Sequence, residues 1–193
     1  MKTLNKRMAL LVTALIVSVT IFGQTKWTTD KNHAQLHFSA VHFGISHIDG
    51  IFKTFEVGLI SEKKDFTDAK IEMTADIKSI STQVDMRDAD LKSKNWFEAE
   101  KFPVLVFKSK SFTKVKGNDY ILSGYMTMHG ITKPISFNVV FNGWAVTMSK
   151  KQTAGFTVKG KIKRSDFKIG DTPIKTGVGD VIEVWANVEI GKN

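Results

Sequence analysis

The sequence is short of three residue types: it has no cysteine, 3 prolines and 2 tyrosines among 193 residues. The absence of cysteine excludes a disulfide scaffold, a thiolate metal site, a cysteine nucleophile and a lipidated N-terminal cysteine. The few prolines and the charged fraction of 24% are not those of a collagen-like or disordered chain. In contrast, 14 glycines and 14 phenylalanines indicate many turns around a strongly apolar interior. This length predicts one domain with a sizeable core.

The N-terminal segment differs from the rest of the chain. Three basic residues precede an apolar run over 8–23, which is shorter than the about 20 apolar residues of a spanning helix. This order is typical of a secretory signal peptide. We therefore predict a signal peptide at 1–24, a mature domain at 25–193, and export across the inner membrane to the periplasm. An uncleaved N-terminal anchor is the alternative.

The charge is basic, with a formal net charge of +9 for the full chain. Such an excess indicates weak attraction to anionic surfaces, and hence transient contact with a membrane surface. The lysines are scattered along the predicted strands, which favours a solvated exterior as their main role. No nucleic-acid-binding motif accompanies them, so we expect no nucleic acid partner.

Alternation of apolar and polar residues dominates from residue 34 onward. It is clearest over 70–78, where every odd position is apolar and every even position is polar. One packed and one solvated face is typical of antiparallel sheet. The pattern predicts eight strands, at 34–41, 49–61, 69–79, 103–115, 118–129, 132–145, 151–165 and 180–191.

Two further signals complete the predicted topology. The residues from Lys116 to Asp119 form a good hairpin turn, whereas Asn142-Gly143 is a competing turn signal that would end the sixth strand early. The segment 85–101 lacks glycine and proline and places apolar residues among charged ones, which predicts one helix or two short ones. The fold class is therefore all-β, with a short helical insertion between the third and fourth strands.

Eight long antiparallel strands favour a closed barrel over a sandwich, because closure removes exposed edges. A barrel of this size is either filled by its side chains or holds one small ligand. Periodicity alone does not distinguish a hollow interior from one that is filled by side chains, and it favours neither. The large side chains predicted to face inward are Phe38, Met73, Phe107, Met126, Phe137, Phe141 and Phe156.

Histidines suggest a metal site, but their spacing argues against one. His33 and His37 are four residues apart, about 13 Å along a strand, which is too far for one zinc ion. His42 and His47 flank the turn at Gly44, yet no cysteine or carboxylate pattern completes a site. We expect no metal site, and we place His42 at the barrel mouth as a hydrogen-bonded residue.

Charged residues cluster at the start of the helical segment. Helix capping and an ion pair to Arg87 explain them better than a catalytic acid pair does; the acids are Asp85, Asp88 and Asp90. Arg164 and Asp166 are interpreted in the same way, as an ion pair at the end of a strand. No nucleophile, phosphate-loop or dinucleotide motif is present.

Motifs spread over residues 27–190 resemble the YceI-like family of bacterial periplasmic lipid-binding proteins. Each motif is weak alone, but their order and spacing together are specific. They are Gly50-x-Phe52-x-x-Phe55, Ser79-Ile80-x-Thr82, Arg87-Asp88-x-x-Leu91-x-Ser93, Lys101-Phe102-Pro103-x-x-x-Phe107-x-Ser109, Gly124-x-Met126-Thr127-Met128-x-Gly130-Ile131-Thr132-Lys133-Pro134 and Arg164-x-Asp166-Phe167. The chain departs from the family at Ala34, where members often have serine.

The resemblance implies a lipocalin-like barrel that encloses an elongated apolar ligand such as a polyisoprenoid. We therefore expect non-catalytic binding and carriage of a polyisoprenoid or other long-chain lipid, with no other cofactor, by a monomer or homodimer. The expected ligand-binding residues are Phe38, His42, Met73, Arg87, Asp88, Trp96, Phe97, Phe107, Met126, Phe137, Phe141, Phe156 and Val184. Of these, His42, Arg87 and Asp88 are the polar candidates for orienting a head group. Two alternatives stay open: an enzyme acting on an isoprenoid or acyl substrate, and a solid barrel that acts only through its surface.

Overall fold

The structure, a computed structural model, describes residues 25–148, 150–171 and 177–193. The predicted signal peptide at 1–24 lies outside the described residues. Among the described residues, no helix is long and apolar enough to cross a membrane. The elements are β1 (Thr25–Thr29), β2 (Gln35–His42), β3 (Ser46–Phe52), β4 (Phe55–Ser61), β5 (Lys70–Asp76), β6 (Ile80–Ser81), α1 (Asp85–Lys92), β7 (Val104–Lys116), β8 (Asp119–Met128), β9 (Ile131–Val146), β10 (Gln152–Lys163) and β11 (Val178–Lys192).

Antiparallel pairing closes these strands into the predicted eight-stranded barrel. From β7 to β11 each strand pairs with the next, and β5 pairs with β7. Three of the eight barrel strands are interrupted, and each consists of two of these elements. The first is β1 followed by β2, which both pair with β11. The second is β3 followed by β4, which pair with β2 and β1, and the third is β5 followed by β6, which pairs with β3. The pairing of β1 with both β4 and β11 completes the ring.

The interruptions correct three predicted strands. The first barrel strand begins at Thr25 rather than at 34, and it escaped prediction because β1 has a single large apolar residue, the buried Trp27. The predicted strand at 49–61 divides at 53–54 into β3 and β4. The predicted strand at 69–79 ends at Asp76, whose side chain accepts the backbone N–H of Lys78 and caps a single 3-10 turn.

The two predicted turns have different outcomes. Lys116 and Asp119 pair across a tight turn in which Gly117 has φ +49°, so the predicted hairpin is confirmed. Asn142-Gly143 does not end a strand, because β9 continues to Val146. Phe156 pairs with Phe141 while Gly155 pairs with Gly143, which leaves Asn142 as a β-bulge. The bulge reverses the alternation, so Trp144 lies on the same interior face as Phe141.

An aromatic cluster seals one end of the barrel. This closed end is formed by the loops 62–69, 117–118 and 147–151. Phe66 comes from the first of these loops and is 1% exposed, with its ring centre 5.0 to 5.8 Å from those of four neighbours. We call these five rings the closed-end cluster: Trp27, Phe66, Phe141, Trp144 and Phe156. The Tyr120 hydroxyl donates to the carbonyl of Asp65 at 3.0 Å and holds the loop in place.

The helical insertion lies at the opposite end, between the third and fourth barrel strands as predicted. Only the first half of the predicted segment 85–101 is an α-helix, because α1 ends at Lys92. The following residues form turns: the N–H of Phe97 bonds the carbonyl of Leu91 at 3.0 Å, and that of Ala99 bonds Lys92 at 3.0 Å. These turns fold Trp96 and Phe97 back toward the barrel, at the end that we call the mouth.

Truncation of Phe66 tests the role of the closed-end cluster. We expect Phe66→Ala to lower the free energy of unfolding by about 3–5 kcal/mol, because it removes a fully buried ring and leaves a cavity. Urea denaturation followed by tryptophan fluorescence measures this change. Phe43→Ala is the matched control, since the Phe43 side chain is 66% exposed and its loss is expected to cost about 0.5 kcal/mol or less. Equal losses in the two variants would contradict the assignment of Phe66 as the seal.

Candidate functional site

Two adjacent cavities occupy the barrel between the mouth and the closed-end cluster. The inner cavity has a volume of about 120 Å³ and its exposed walls are entirely apolar. The mouth cavity is larger, at about 420 Å³, and includes some polar surface. Four residues line both cavities and form the neck between them: Phe52, Leu105, Ile162 and Val184. The inner volume is similar to that of a cavity that holds benzene, and the mouth volume falls within the range of small-molecule sites.

The structure brings eleven of the thirteen expected ligand-binding residues to these cavities. Five line the inner cavity: Met73, Phe107, Met126, Phe137 and Phe156. Five line the mouth cavity: Phe38, His42, Arg87, Trp96 and Phe97. Val184 is at the neck. Eight of these residues lie on strands, where side chains alternate, so the period-2 pattern was sufficient to find them. The other three, Arg87, Trp96 and Phe97, lie in the helical insertion.

Phe141 does not line either cavity, contrary to expectation. Its ring packs against Phe66 at 5.8 Å, Trp144 at 5.6 Å and Phe156 at 5.3 Å between ring centres. Phe141 lies four residues nearer the closed end than Phe137 on the same strand face. The barrel is therefore solid at one end and hollow over the rest, so the two interiors that periodicity left open both occur.

Asp88 also lies outside the cavity lining, because its carboxylate is hydrogen-bonded to Thr82. This carboxylate is 8% exposed and accepts both the N–H and the hydroxyl of Thr82, at 2.7 and 2.5 Å. The Thr82 hydroxyl in turn accepts from Arg87 Nε at 2.7 Å, and the Thr82 carbonyl accepts from a second Arg87 nitrogen at 2.8 Å. The expected ion pair between Arg87 and the aspartates is thus replaced by a chain through Thr82, which positions Arg87 in the mouth wall.

The pKa of Asp88 is lowered by this arrangement. Burial acts to raise it, but the hydrogen bonds from the side chain and backbone of Thr82, together with the charge of Lys92, outweigh burial and bring the pKa below its ordinary value of 3.8. The carboxylate therefore stays charged at neutral pH and holds the Thr82 hydroxyl toward Arg87.

Trp96 forms one wall of the mouth and is fixed on three sides. Its indole N–H donates to Asp90 at 2.8 Å, and the Arg164 guanidinium lies over its ring at 5.7 Å. Gly170, with φ +63°, lies against the ring, where a Cβ would be 2.5 Å from a Trp96 carbon. Only glycine fits this position without displacing the indole.

Arg164 does not form the expected ion pair with Asp166. Its guanidinium instead donates to four backbone carbonyls at 2.8 to 3.2 Å, those of Ile169, Gly170, Val178 and Gly179. Asp180 accepts the N–H and hydroxyl of Ser165 and ties the same turn to β11. This network joins the two described segments on either side of 172–176 and fixes the rim of the mouth.

Sequence reasoning missed part of the mouth lining. Ile48 and Ile182 could have been found from strand alternation, because each lies on the cavity-facing side of its strand. Ile169 and Val178 gave no such signal, since they lie in and next to an irregular segment. Thr82 was visible only as a motif residue, and its position between Arg87 and Asp88 depends on the folded turn.

The histidines do not converge on the cavity. His42 lines the mouth and its ring packs edge-on against Phe43 at 4.4 Å. His33 lies in the turn between β1 and β2, where its Nδ1 is 3.0 Å from Asp30. Among the described residues, one group has the side-chain types of a metal site: Asp30, His33 and Glu189, with ligand atoms within 4.8 Å of one another. It lies outside the barrel, away from both cavities.

Comparison with known proteins decides the family. A family model described as the YceI-like domain matches residues 27–190. A UPF0312 protein of Photorhabdus laumondii is 34% identical over 135 residues, which cover 70% of this chain and 70% of that protein. The chain belongs to the YceI-like family.

Two solved structures share the barrel of this YceI-like protein. BcnA of Burkholderia cenocepacia matches with a TM-score of 0.75 and 21% identity, over 83% of this chain and 98% of BcnA. A polyisoprenoid binding domain from Saccharophagus degradans matches with a TM-score of 0.63 and 15% identity, over 86% of this chain and 98% of that domain. At these identities the likeness shows the fold alone, and it confirms the predicted barrel.

The lowered pKa of Asp88 predicts an acid-sensitive mouth in this YceI-like protein. Because the folded-state pKa lies below the unfolded value of 3.8, the unfolded state binds more protons in acid. The stabilisation is therefore present above about pH 4 and lost as pH falls through the folded-state pKa. We expect Asp88→Asn to lower stability at pH 7 by about 1–3 kcal/mol and to make the fall in stability below pH 4 shallower. Urea titrations between neutral and acid pH measure both effects.

Asp85→Asn is the matched control for this prediction. Asp85 lies on the same helix and accepts no hydrogen bond from the residues that the structure describes. We expect the stability of this variant to fall below pH 4 as steeply as that of the wild-type protein. If the stability of Asp88→Asn falls below pH 4 as steeply as that of the wild type, the Thr82–Asp88 contact does not contribute to the pH dependence.

Proposed function

We propose that this protein binds an elongated apolar lipid of polyisoprenoid type inside its barrel and carries it without catalysis in the compartment to which it is exported. The observation that carries this proposal is the inner cavity, whose exposed walls are entirely apolar and which adjoins the mouth cavity at the neck. A ligand that fills it must be mostly hydrocarbon, because no wall atom offers a directional partner. Each methylene buried there contributes about 0.8 kcal/mol.

The closed-end cluster gives the bound lipid a direction. Because the rings around Phe66 block the far end, a lipid enters tail first through the mouth and its head group stays there. The mouth exposes polar wall groups, and its lining includes Arg87 and His42. We infer that these two residues face the head group and that Asp88 acts behind Arg87 as a positioning residue.

The comparisons support the ligand class. The Saccharophagus degradans domain with the same fold is described as polyisoprenoid binding, and the apolar cavity of this chain suits such a ligand. A long polyisoprenoid exceeds the two cavities, so we expect the end of the lipid that carries the head group to extend past the mouth.

The mouth favours binding over catalysis. General acid–base chemistry needs a pair of groups free to exchange protons with a substrate. Here Arg87 donates to Thr82, Arg164 donates to backbone carbonyls and Asp90 accepts from Trp96. Each of these groups is held by the scaffold, which supports a carrier rather than an enzyme acting on an isoprenoid or acyl substrate.

Blocking the neck tests the proposed function. We expect Val184→Trp to abolish retention of hydrophobic ligand, because Val184 lines both cavities and the indole fills the passage between them. The measurement is native mass spectrometry of protein purified without detergent, followed by solvent extraction and identification of the released lipid. The wild-type protein is expected to carry a hydrocarbon-rich adduct.

Val140→Trp is the matched control, since Val140 is 42% exposed on the outer face of β9. This variant is expected to retain the adduct at the wild-type level. Wild-type protein that releases no lipid, and takes up none when mixed with polyprenol, would overturn the proposed function. Equal loss from both variants would show that the neck does not control access.

A further inference from the structure

The closed end carries a concentration of lysines that their sequence positions conceal. Along the chain they are scattered, and the sequence therefore favoured a dispersed, solvated exterior. Antiparallel folding instead gathers them, because the start of β1, the end of β11 and three of the connecting loops meet at this end. We call this surface the basic end, and its exposed lysines include Lys26, Lys63, Lys64, Lys114, Lys116, Lys150, Lys151 and Lys192.

The lysines of the basic end form no close ion pair with the acidic residues that the structure describes. Among the residues that the structure describes, none of the eight forms an ion pair, whereas Lys78, Lys108 and Lys161 pair with glutamates at 2.7 to 3.5 Å. Of the nearby acids, Asp65 accepts from Thr67 and interacts electrostatically with Lys63 and Lys114, and Asp68 accepts from Ser61 and two backbone N–H groups. The eight lysines outnumber the four acids of the adjoining loops and strand ends, which are Glu62, Asp65, Asp68 and Asp119, so the basic end carries net positive charge toward an external anion.

Apolar side chains project from the centre of the same surface. The bulge at Asn142 places Trp144, Val146 and Met148 on one face of β9 and its turn, and these are 39%, 72% and 104% exposed. Thr147 and Lys151 bond each other across the turn that follows β9. Trp144 stacks on Phe66 at 5.0 Å, which anchors this apolar column in the closed-end cluster.

We propose that the basic end is a docking surface for an anionic phospholipid bilayer. Its lysines would contact the head groups, and Met148 and Val146 would enter the boundary between head groups and acyl chains. This pairing of an apolar tip with flanking lysines is the physical requirement for binding at a membrane interface. The half-exposed Trp144 is suited to the same depth, where tryptophan is enriched. The docking proposal goes beyond lipid carriage and does not depend on it.

The course of the chain supports the same orientation. Residue 25 begins β1 at the closed end, where Thr25 pairs with Ser61. The apolar run at 8–23 therefore joins the barrel on the side of the basic end, so an uncleaved leader and the basic end would face one membrane. The 12 residues of β10 place the mouth about 30 Å from this surface. A docked protein thus holds its mouth away from the bilayer, toward the surrounding solution.

Vesicle binding tests the proposal. The full chain is expressed and purified from the soluble fraction without detergent, so that all variants share the N-terminus that the cell leaves. We expect cosedimentation with vesicles of equal parts phosphatidylcholine and phosphatidylglycerol at low salt. Binding should be lost at about 0.5 M salt, which screens exposed charges, and in vesicles of phosphatidylcholine alone.

Charge reversal at the turn identifies the surface. We expect Lys150→Glu/Lys151→Glu to weaken vesicle binding at least about tenfold, because each lysine near an anionic bilayer contributes about 1 kcal/mol. Lys63→Glu/Lys64→Glu, in a separate loop, is expected to do the same. Met148→Ser is expected to weaken binding several-fold and to leave its salt dependence unchanged.

Lys133→Glu/Lys159→Glu is the matched control, with the same change in net charge on exposed wall positions of β9 and β10. Control variants that lose binding as strongly as the turn variants would overturn the proposal, since net charge alone would then explain it. Absence of binding by the wild type at low salt, or binding to duplex DNA but not to vesicles, would also overturn it. Lipid retention, measured by native mass spectrometry, is expected to be unchanged in every variant, so failure of docking and failure of carriage are distinguishable.

Discussion

The packing of Phe66 into the barrel is the interaction on which the rest of the structure depends. An eight-stranded barrel encloses just enough space for its own side chains or for one small ligand, so the placement of a few large rings decides which outcome occurs. Phe66 comes from a loop and packs among rings that lie on β1, β9 and β10. With Trp27, Phe141 and Trp144 around it, all the ring packing that seals the barrel is concentrated at one end. The remaining interior holds the inner cavity and the mouth cavity.

One backbone irregularity determines both the seal and the outer surface of that end. Without the bulge at Asn142, strict alternation would turn Trp144 away from Phe141 and remove it from the closed-end cluster. The same reversal sets the face on which Val146 and Met148 continue beyond the barrel. The rigid interior and the apolar tip at the surface are therefore two consequences of one unpaired residue, and neither can change without the other.

The sequence predicted the barrel, the insertion and most of the cavity lining, because period-2 alternation reports which strand face is buried. Alternation does not report depth along the barrel axis, so Phe137 and Phe141 looked equivalent although one lines the cavity and the other seals the end. It also missed β1, which has one large apolar residue, and Phe66, which is in a loop. Asp88 was recognised as a charged group near the mouth and Arg164 as one at the end of a strand, but their partners are Thr82 and backbone carbonyls, which depend on turn geometry. The clustering of lysines is likewise a property of the folded ends, not of chain order.

The two ends of the barrel use charge in opposite ways, and this difference explains why they suit different partners. At the mouth, the cations are engaged by the scaffold: Arg87 by Thr82 and Arg164 by four carbonyls. An arginine held in this way keeps a fixed position beside an apolar opening, which suits orientation of one head group. At the closed end, the lysines are solvated and unpaired among the described residues, so they adapt to many head groups at once with little geometric demand. Fixed cations favour selection of a single ligand, and mobile cations favour adhesion to a surface. With the first at its opening and the second at its sealed end, the barrel keeps the proposed ligand exchange and the proposed membrane attachment at opposite ends.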